Sequence, residues 1–335
     1  NSCRIAEPGS HEAKRRARDE EISFHTPGHS FHFMTSRRYT VVGLGELLWD
    51  LFPQGKQLGG APANFAYMTA LLGDRGIVAS RVGSDRLGQE AIWQLASSGL
   101  DTSLIQTDAK HATGTVKVEV DSKGQPEYTI VEDVAWDHLE WTPAWKTLAE
   151  SADAVCFGSL AQRSEVSRST IREFLKAARP GAARIFDVNL RQTFFSAEVL
   201  RDSASRTDIL KLNHEEAPKL IECLGGRFVS DLAVARWLVK EFGIRIVCVT
   251  RGAKGSLLVT ATEENTHPGF AVRVADTVGA GDAFTAALVH HALRGGTLAE
   301  MNQAANRLGA WVASQEGAMP AAEEDVLGEI RAEDK

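Results

Sequence analysis

The chain has 335 residues, 43% hydrophobic and 24% charged, with a formal net charge of -7. That suits one large α/β domain with a smaller appendage, and the negative balance argues against a general nucleic-acid-binding surface while leaving room for a local nucleotide site. No apolar run reaches the length of a membrane span, so a membrane partner is not expected.

The four cysteines, Cys3, Cys156, Cys223 and Cys248, form no C-x-x-C pair, and Cys156 and Cys248 lie in apolar runs. They read as buried free thiols in a reducing, cytoplasmic setting. Residues 1–38 contain KRRARDEE and several histidines, without sustained periodicity or the apolar segment of a signal peptide. They read as a tag, an upstream translated piece or a disordered arm, with Met34 as a natural start. The domain is expected over 39–330, with a short tail at 331–335.

Residues 39–44 are apolar and β-rich and read as a buried first strand. The G-x-G at Gly43 and Gly45 lacks the third glycine of a dinucleotide fingerprint, because Leu48 stands there. Asp50 follows the strand's C-terminal end, where α/β folds place ligands; it reads either as a carboxylate for a polyol's hydroxyls or as a solvated loop residue. LGGAPANFAYMTALLG, residues 58–73, is a glycine-rich approach to a helix, with Pro62 at an early helical position. There Gly60 permits a close ligand approach, and Asn64 is placed to bond a sugar hydroxyl or to cap the helix. A second strand is expected at 77–82, then a helix opened by Asp85 and stopped by Gly99.

Residues 112–130 change character: TVKVEV alternates, DSKG is a turn and PEYTIV is extended, so a hairpin interrupts the α/β pattern. It reads as a cover for a site or as decoration. Trp136, Trp141 and Trp145 follow as core or hinge residues. The alternation then resumes, with strands at 154–157, 184–188, 209–212, 245–250, 256–260 and 269–274, and helices at 165–178, 231–242 and 297–314. Polar residues gather at the strand ends: Asp187, Asn189 and Arg191; Asn213, Glu215 and Glu216; Thr250, Arg251 and Gly252. The pattern predicts a mainly parallel sheet with helices on both faces and ligands at this edge.

DTVGAGDAFTAALVHHAL, residues 276–293, is a glycine-rich turn running into an amphipathic helix. Its unpaired first N–H groups can hold an anion. Asp282 lies in that first turn and reads either as a helix-end dipole contact or as a base that takes a proton from a hydroxyl while the amides stabilise the transferring group. His290 and His291 lack metal-ligand partners at convincing spacing and are read as surface or packing residues.

GGAPANFAYMTALLG (59–73) and DTVGAGDAF (276–284), with NHEE (213–216) and TRGAKG (250–255) between them in matching order, resemble the PfkB, or ribokinase-like, sugar kinases. The resemblance covers about residues 39–330. GELLWDLFP and FDVNLRQTFF make it most similar to fructokinases. It implies a ribokinase-like α/β fold with a mainly parallel central sheet and a small β-sheet lid including about 112–132. It also implies transfer of the ATP γ-phosphate to a sugar primary hydroxyl, O6 of D-fructose in a fructokinase.

Ribokinase, 2-keto-3-deoxygluconate kinase and nucleoside kinase share this machinery and stay open, as does a catalytically idle sugar-binding protein. Matched residue by residue, Asp282 implies the base, and Gly279, Ala280 and Gly281 the anion hole. Asp50, Gly60, Asn64, Asn189 and Arg191 imply sugar contacts. Asn213, Thr250, Arg251, Gly252 and Asn306 imply nucleotide contacts. Glu216 implies Mg²⁺ held through water, with Glu215 a neighbouring candidate. Asp276 and Val278, the latter by its carbonyl, imply a K⁺ loop with residues 314–318. Some relatives dimerise through the lid, so a homodimer is a further implication.

Overall fold

The computed structural model describes residues 37–53, 55–120, 126–322 and 324–331. The arm expected at 1–38 therefore lies, up to residue 36, outside the described residues, as do the hairpin turn at 121–124 and tail residues 332–335.

In chain order the elements are β1 (Thr40–Leu44), β2 (Leu48–Phe52), β3 (Gly55–Gly59), α1 (Ala61–Leu71), β4 (Arg75–Ala79), β5 (Arg81–Gly83), α2 (Arg86–Ser97), β6 (Gln106–Asp108), β7 (Gly114–Val120), β8 (Pro126–Ile130), α3 (Pro143–Ser151), β9 (Ala154–Gly158), α4 (Glu165–Ala177), β10 (Ala183–Asp187), α5 (Ala197–Ser205), β11 (Ile209–Asn213), α6 (Glu216–Cys223), α7 (Asp231–Phe242), β12 (Ile246–Thr250), β13 (Ser256–Val259), β14 (Glu264–His267), α8 (Ala280–Leu293), α9 (Leu298–Ala313) and α10 (Glu324–Gly328).

The main sheet has the order β14-β13-β12-β11-β10-β9-β1-β4. It is parallel from β4 to β12, and β13 and β14 close it antiparallel. The parallel strands are short apolar runs because helices cover both of their faces. Strand alternation divides the core accordingly: Val41 of β1 points into the layer of Phe65, Met68 and Phe284, and Val42 and Leu44 into that of Phe157, Phe174 and Phe186. Crossovers between parallel strands leave all their C-terminal ends on one edge, and the candidate site forms there.

A second sheet, in the order β3-β2-β7-β8, contains the expected hairpin. Its other half was not expected. Asp50 lies within β2 of this sheet, paired with Gln57, rather than in a loop past β1. Three other expectations are corrected. The strand at 77–82 breaks at Ser80, whose buried hydroxyl donates to the Gly45 carbonyl (2.6 Å) while its own carbonyl accepts from Gln106 N–H. The strand at 269–274 is absent; the turn in which Thr260 N–H donates to the Glu263 carbonyl instead returns Glu264–His267 against β13. Helix α8 is not amphipathic, being buried from Ala283 to His290 where it packs with α1 and α9. Its run of alanines allows that close packing.

Candidate active site

At the strand ends, Glu46, Pro62, Phe65, Asp187, Asn189 and Asp282 line one cavity. Two glycines shape it. Gly60, before α1, has φ +113°, and a Cβ there would stand 2.5 Å from the Glu46 carbonyl oxygen. Gly279, before α8, has φ +77°, and its Cβ would meet the Ala318 backbone at 2.7 Å. Only glycine fits either place without displacing a neighbouring chain segment.

The α8 turn presents free donors. The N–H groups of Gly279, Gly281 and Asp282 find no acceptor among the described residues. Ala280 differs from expectation: its N–H closes a tight turn onto the Thr277 carbonyl at 3.3 Å, so this donor is already engaged.

Asp282 is half-buried in the cavity, and its Oδ2 accepts from Asn64 Nδ2 at 2.8 Å. The Asn64 side chain thus bonds Asp282 instead of capping its own helix. Burial, reinforced by the nearby Asp187, pushes the Asp282 carboxyl up to about 6, against the lowering effects of Asn64, Lys211 and Arg191. Glu46 is more enclosed. Burial, aided by the Asp282 charge, pushes it up to about 7, and its Oε2 has no hydrogen-bond partner among the described residues.

Sequence reasoning missed Lys211 and Thr285. Lys211 Nζ lies 3.0 and 3.1 Å from the two oxygens of Asp187, both residues being buried. Burial would lower the ammonium, but Asp187, Glu216 and Asp282 together hold it above its usual range. The Thr285 hydroxyl lies 3.1 Å from Asp187 Oδ2. The available signal for Lys211 was a cation inside the apolar strand ILKLN, since a buried lysine requires a partner. Glu46 stood beside a recognised strand end, but its enclosure depends on α1 and α8, which come from distant segments.

In the second sheet, Asp50 is pushed up to about 6 by burial, with Arg191 opposing. Its carboxylate occupies the space beside Gly59. Arg191 is exposed and forms no ion pair with a described residue. The loop carrying it is fixed by left-handed Asn189 (φ 41°) and Gln192 (φ 48°), and Gln192 Nε2 donates to the Tyr128 carbonyl of β8 at 2.6 Å.

Farther along the edge, Asn213 Oδ1 accepts from the N–H groups of Glu215 and Glu216. Glu216 is buried, each oxygen accepting a backbone N–H at 2.8 Å, from Leu190 and Asn213; burial raises its carboxyl. Glu215 is exposed, so the geometry separates the two candidates. Thr250 pairs in register with Asn213, and Gly252 faces open space. Arg251 instead binds Asp231 at the start of α7, at 2.8 Å. The Asn306 amide is buried in a network with Ser256 and Asn302. Asp276 accepts from Val278 N–H (3.0 Å) and Gly317 N–H (3.3 Å), tying the α8 approach to the 314–318 loop.

The sequence matches the pfkB family of carbohydrate kinases over residues 45–325. A putative sugar kinase of Pyrococcus horikoshii is 31% identical over 307 residues, covering 86% of this chain and 94% of its own. Its crystal structure in complex with ATP superposes with a TM-score of 0.72 at 28% identity, covering 87% of this chain and 99% of that one. A fructokinase of Escherichia coli is 31% identical over 260 residues, covering 73% and 82%. A fructokinase of Vibrio cholerae, solved with fructose, ADP and calcium ion, gives a TM-score of 0.70 at 26% identity, covering 89% and 99%. A double mutant of that enzyme was solved with fructose, ADP and potassium ion. With this fold, this strand-end site and a match across most of its length, the chain belongs to the pfkB family as an ATP-dependent carbohydrate kinase.

Proposed function

We propose that the chain is a fructokinase, moving the γ-phosphate of ATP to O6 of D-fructose with Asp282 as the base. The observation that carries the assignment of the base is the position of Asp282: one carboxylate at the open amides of α8, bonded to Asn64 across the cavity. The fructokinases among the relatives support the choice of sugar.

In this reading Asp50 and Asn64 hold sugar hydroxyls, and Asn189 and the Gly60 turn shape the same wall. Asp282 accepts the proton of the attacking hydroxyl. The N–H groups of Gly279 and Gly281 stabilise the charge on the transferring phosphoryl group. A group poised near 6 is mostly ionised at neutral pH yet basic enough to take the proton. The sheet β3-β2-β7-β8 acts as a lid that limits water.

Glu216 fits a Mg²⁺ ion held through water: its oxygens each carry one backbone N–H and retain a lone pair for a metal-bound water. When bound, Mg²⁺ supplies positive charge against the nucleotide phosphates. Thr250 and Gly252 serve the phosphate side, with Asn213 setting the β11 turn. The loops joined by Asp276 and Gly317, with the Val278 carbonyl, suit a monovalent cation such as K⁺.

One observation favours a second reading. The Arg191 guanidinium, exposed and without an ion pair among the described residues, is suited to a sugar acid's carboxylate, as in 2-keto-3-deoxygluconate. The test is ATP consumption with Mg²⁺ and K⁺ against D-fructose, D-ribose, 2-keto-3-deoxygluconate, adenosine, glucose and mannose. Selective turnover of fructose is expected. Selective turnover of the sugar acid, lost in Arg191→Ala, would replace fructose by the second reading.

A further inference from the structure

Asp187 and Lys211 are register partners at the C-terminal ends of the parallel strands β10 and β11. Leu210 and Leu212 pack into the layer of Phe157, Phe174 and Phe186, so alternation sends the Lys211 side chain to the opposite face, under α8. There its Nζ lies 3.0 and 3.1 Å from the two oxygens of Asp187. Thr285, in the second turn of α8, places its hydroxyl 3.1 Å from Asp187 Oδ2 and 2.9 Å from the Gly281 carbonyl. All three side chains are buried. A Cβ added at Gly281 would stand 3.0 Å from the Lys211 ammonium, so the first turn of α8 rests directly on it. We propose that Lys211 is a positioning residue for phosphoryl transfer: with Asp187 and Thr285 it holds the first turn of α8, and so fixes the Gly281 amide and the Asp282 carboxylate.

Stability alone does not account for this arrangement. A buried ion pair is often no better than well-packed apolar residues of the same volume. A cation beneath a helix N-terminus also opposes the helix dipole. What Lys211 supplies is a fixed positive charge among carboxylates. Asp282 is faced by Asn64 from α1, Asp187 from β10 and Lys211 from β11, with Glu46 and Arg191 on the flanking loops. Lys211 is faced by Asp187, Asp282 and Glu216. Burial pushes the thiols of Cys156 and Cys248 up, so they carry no charge at neutral pH. One ion pair therefore acts on Asp282 with two opposed charges: Asp187 disfavours the carboxylate and Lys211 favours it.

Steady-state kinetics across pH test the role, on whichever sugar of the panel wild type turns over, so a mistaken choice of sugar leaves the test intact. Lys211→Met should lower kcat about 10–100-fold, the cost of a small misplacement at a reacting centre, with KM for ATP within about twofold. The rising limb of kcat/KM against pH should move up by about one unit, because Asp187 then acts on Asp282 unopposed by Lys211. This variant buries a carboxylate without its cation, so two others carry the test if it does not fold. Lys211→Met/Asp187→Asn removes both charges while the new amide oxygen can still accept from Thr285, and its limb should return toward that of wild type. Thr285→Val changes no charge and should lower kcat roughly 3–10-fold with the limb and KM unmoved. Because the role presupposes Asp282 as the base, Asp282→Asn is measured alongside. Turnover surviving there would refute the base, whatever the other variants do. A raised KM for ATP in Lys211→Met at unchanged kcat and limb would make Lys211 a nucleotide contact instead. That result, or wild-type kinetics in all three variants with turnover lost in Asp282→Asn, would overturn the proposal and keep the base.

Discussion

Helix α8 carries a buried charge cluster at each end, and the two are balanced in opposite ways. Asp282 and His290 are eight residues apart, about 12 Å along the axis. At the C-terminal end, Asp74 accepts from His290 Nδ1 (2.6 Å) and from two nitrogens of Arg294 (3.0 and 2.8 Å). Burial would raise Asp74, but the bonds from His290 and Arg294 outweigh it and hold the carboxyl below its usual range. At the N-terminal end, Asp187, Glu216 and Asp282 act on one buried ammonium, Lys211, and Glu46 feels the charges of Asp282 and Asp187. There burial wins, and Glu46 and Asp282 rise. The helix dipole favours both ends alike, so it does not explain the difference. Packing and partner count do. A cluster with matched partners anchors the helix. A cluster short of cations costs stability and has value where its charge state is used.

The largest expected effect tests that division at the N-terminal end. Asp282→Asn should lower turnover roughly 10²–10⁴-fold, as loss of a general base does, with ATP affinity little changed. Its melting temperature should hold or rise, because one crowded carboxylate is removed. Turnover near that of wild type would remove Asp282 from the role of base. The opposite end should respond in the opposite sense. Asp74→Asn breaks a buried ion pair by removing the carboxylate that His290 and Arg294 share, and should destabilise the protein by about 3–5 kcal/mol. The kcat of the remaining folded molecules should stay within about a factor of two, because distant sites act nearly independently. Urea unfolding and active-site-normalised turnover measure the two effects. A large loss of kcat in Asp74→Asn would show that the ends of α8 are coupled.

Much of the site was legible because its elements are punctuated locally. DTVGAGDAF combines a left-handed glycine with a helix start, and GGAPAN places Pro62 and Asn64 at the head of α1. Those signals depend on neighbours within a few residues. What was missed depends on distant ones. The His290 partner is Asp74, 216 residues earlier, so the choice between surface and packing could not be made from the helix alone. Structure assigns packing to His290, and His291 Nε2 lies 2.7 Å from the Ile330 carbonyl oxygen, which accepts. Lys211 within ILKLN signalled a buried partner without identifying Asp187. Asp50 was placed in a loop because β2 is paired by Gln57 and by the much later β7, and a five-residue strand carries little periodicity of its own. Alternation suggested a strand at 269–274, but residues 271–274 are exposed, and backbone pairing went to 264–267.

The smallest effects should appear in the pH dependence, where two neighbours of Asp282 should act differently. If Asp282 must be ionised, kcat/KM should rise with pH through an apparent value near 6 that belongs to the coupled Glu46–Asp282 pair. Glu46, about one unit higher, is still mostly protonated while Asp282 ionises, so Glu46→Gln should leave that limb nearly in place. Asn64→Ala removes the hydrogen bond that favours the Asp282 carboxylate and should move it to higher pH by up to about one unit. Stability supplies an independent check. Because the folded state raises Glu46 from 4.5 to about 7, native protein retains this proton where the unfolded chain has lost it. Wild-type stability attributable to Glu46 therefore falls between those pH values and levels off above 7. Glu46→Gln lacks that fall, so its stability relative to wild type should increase by on the order of 1–3 kcal/mol from pH 5 to pH 8. A limb displaced as far by Glu46→Gln as by Asn64→Ala, with a stability difference flat in pH, would overturn this order of titration.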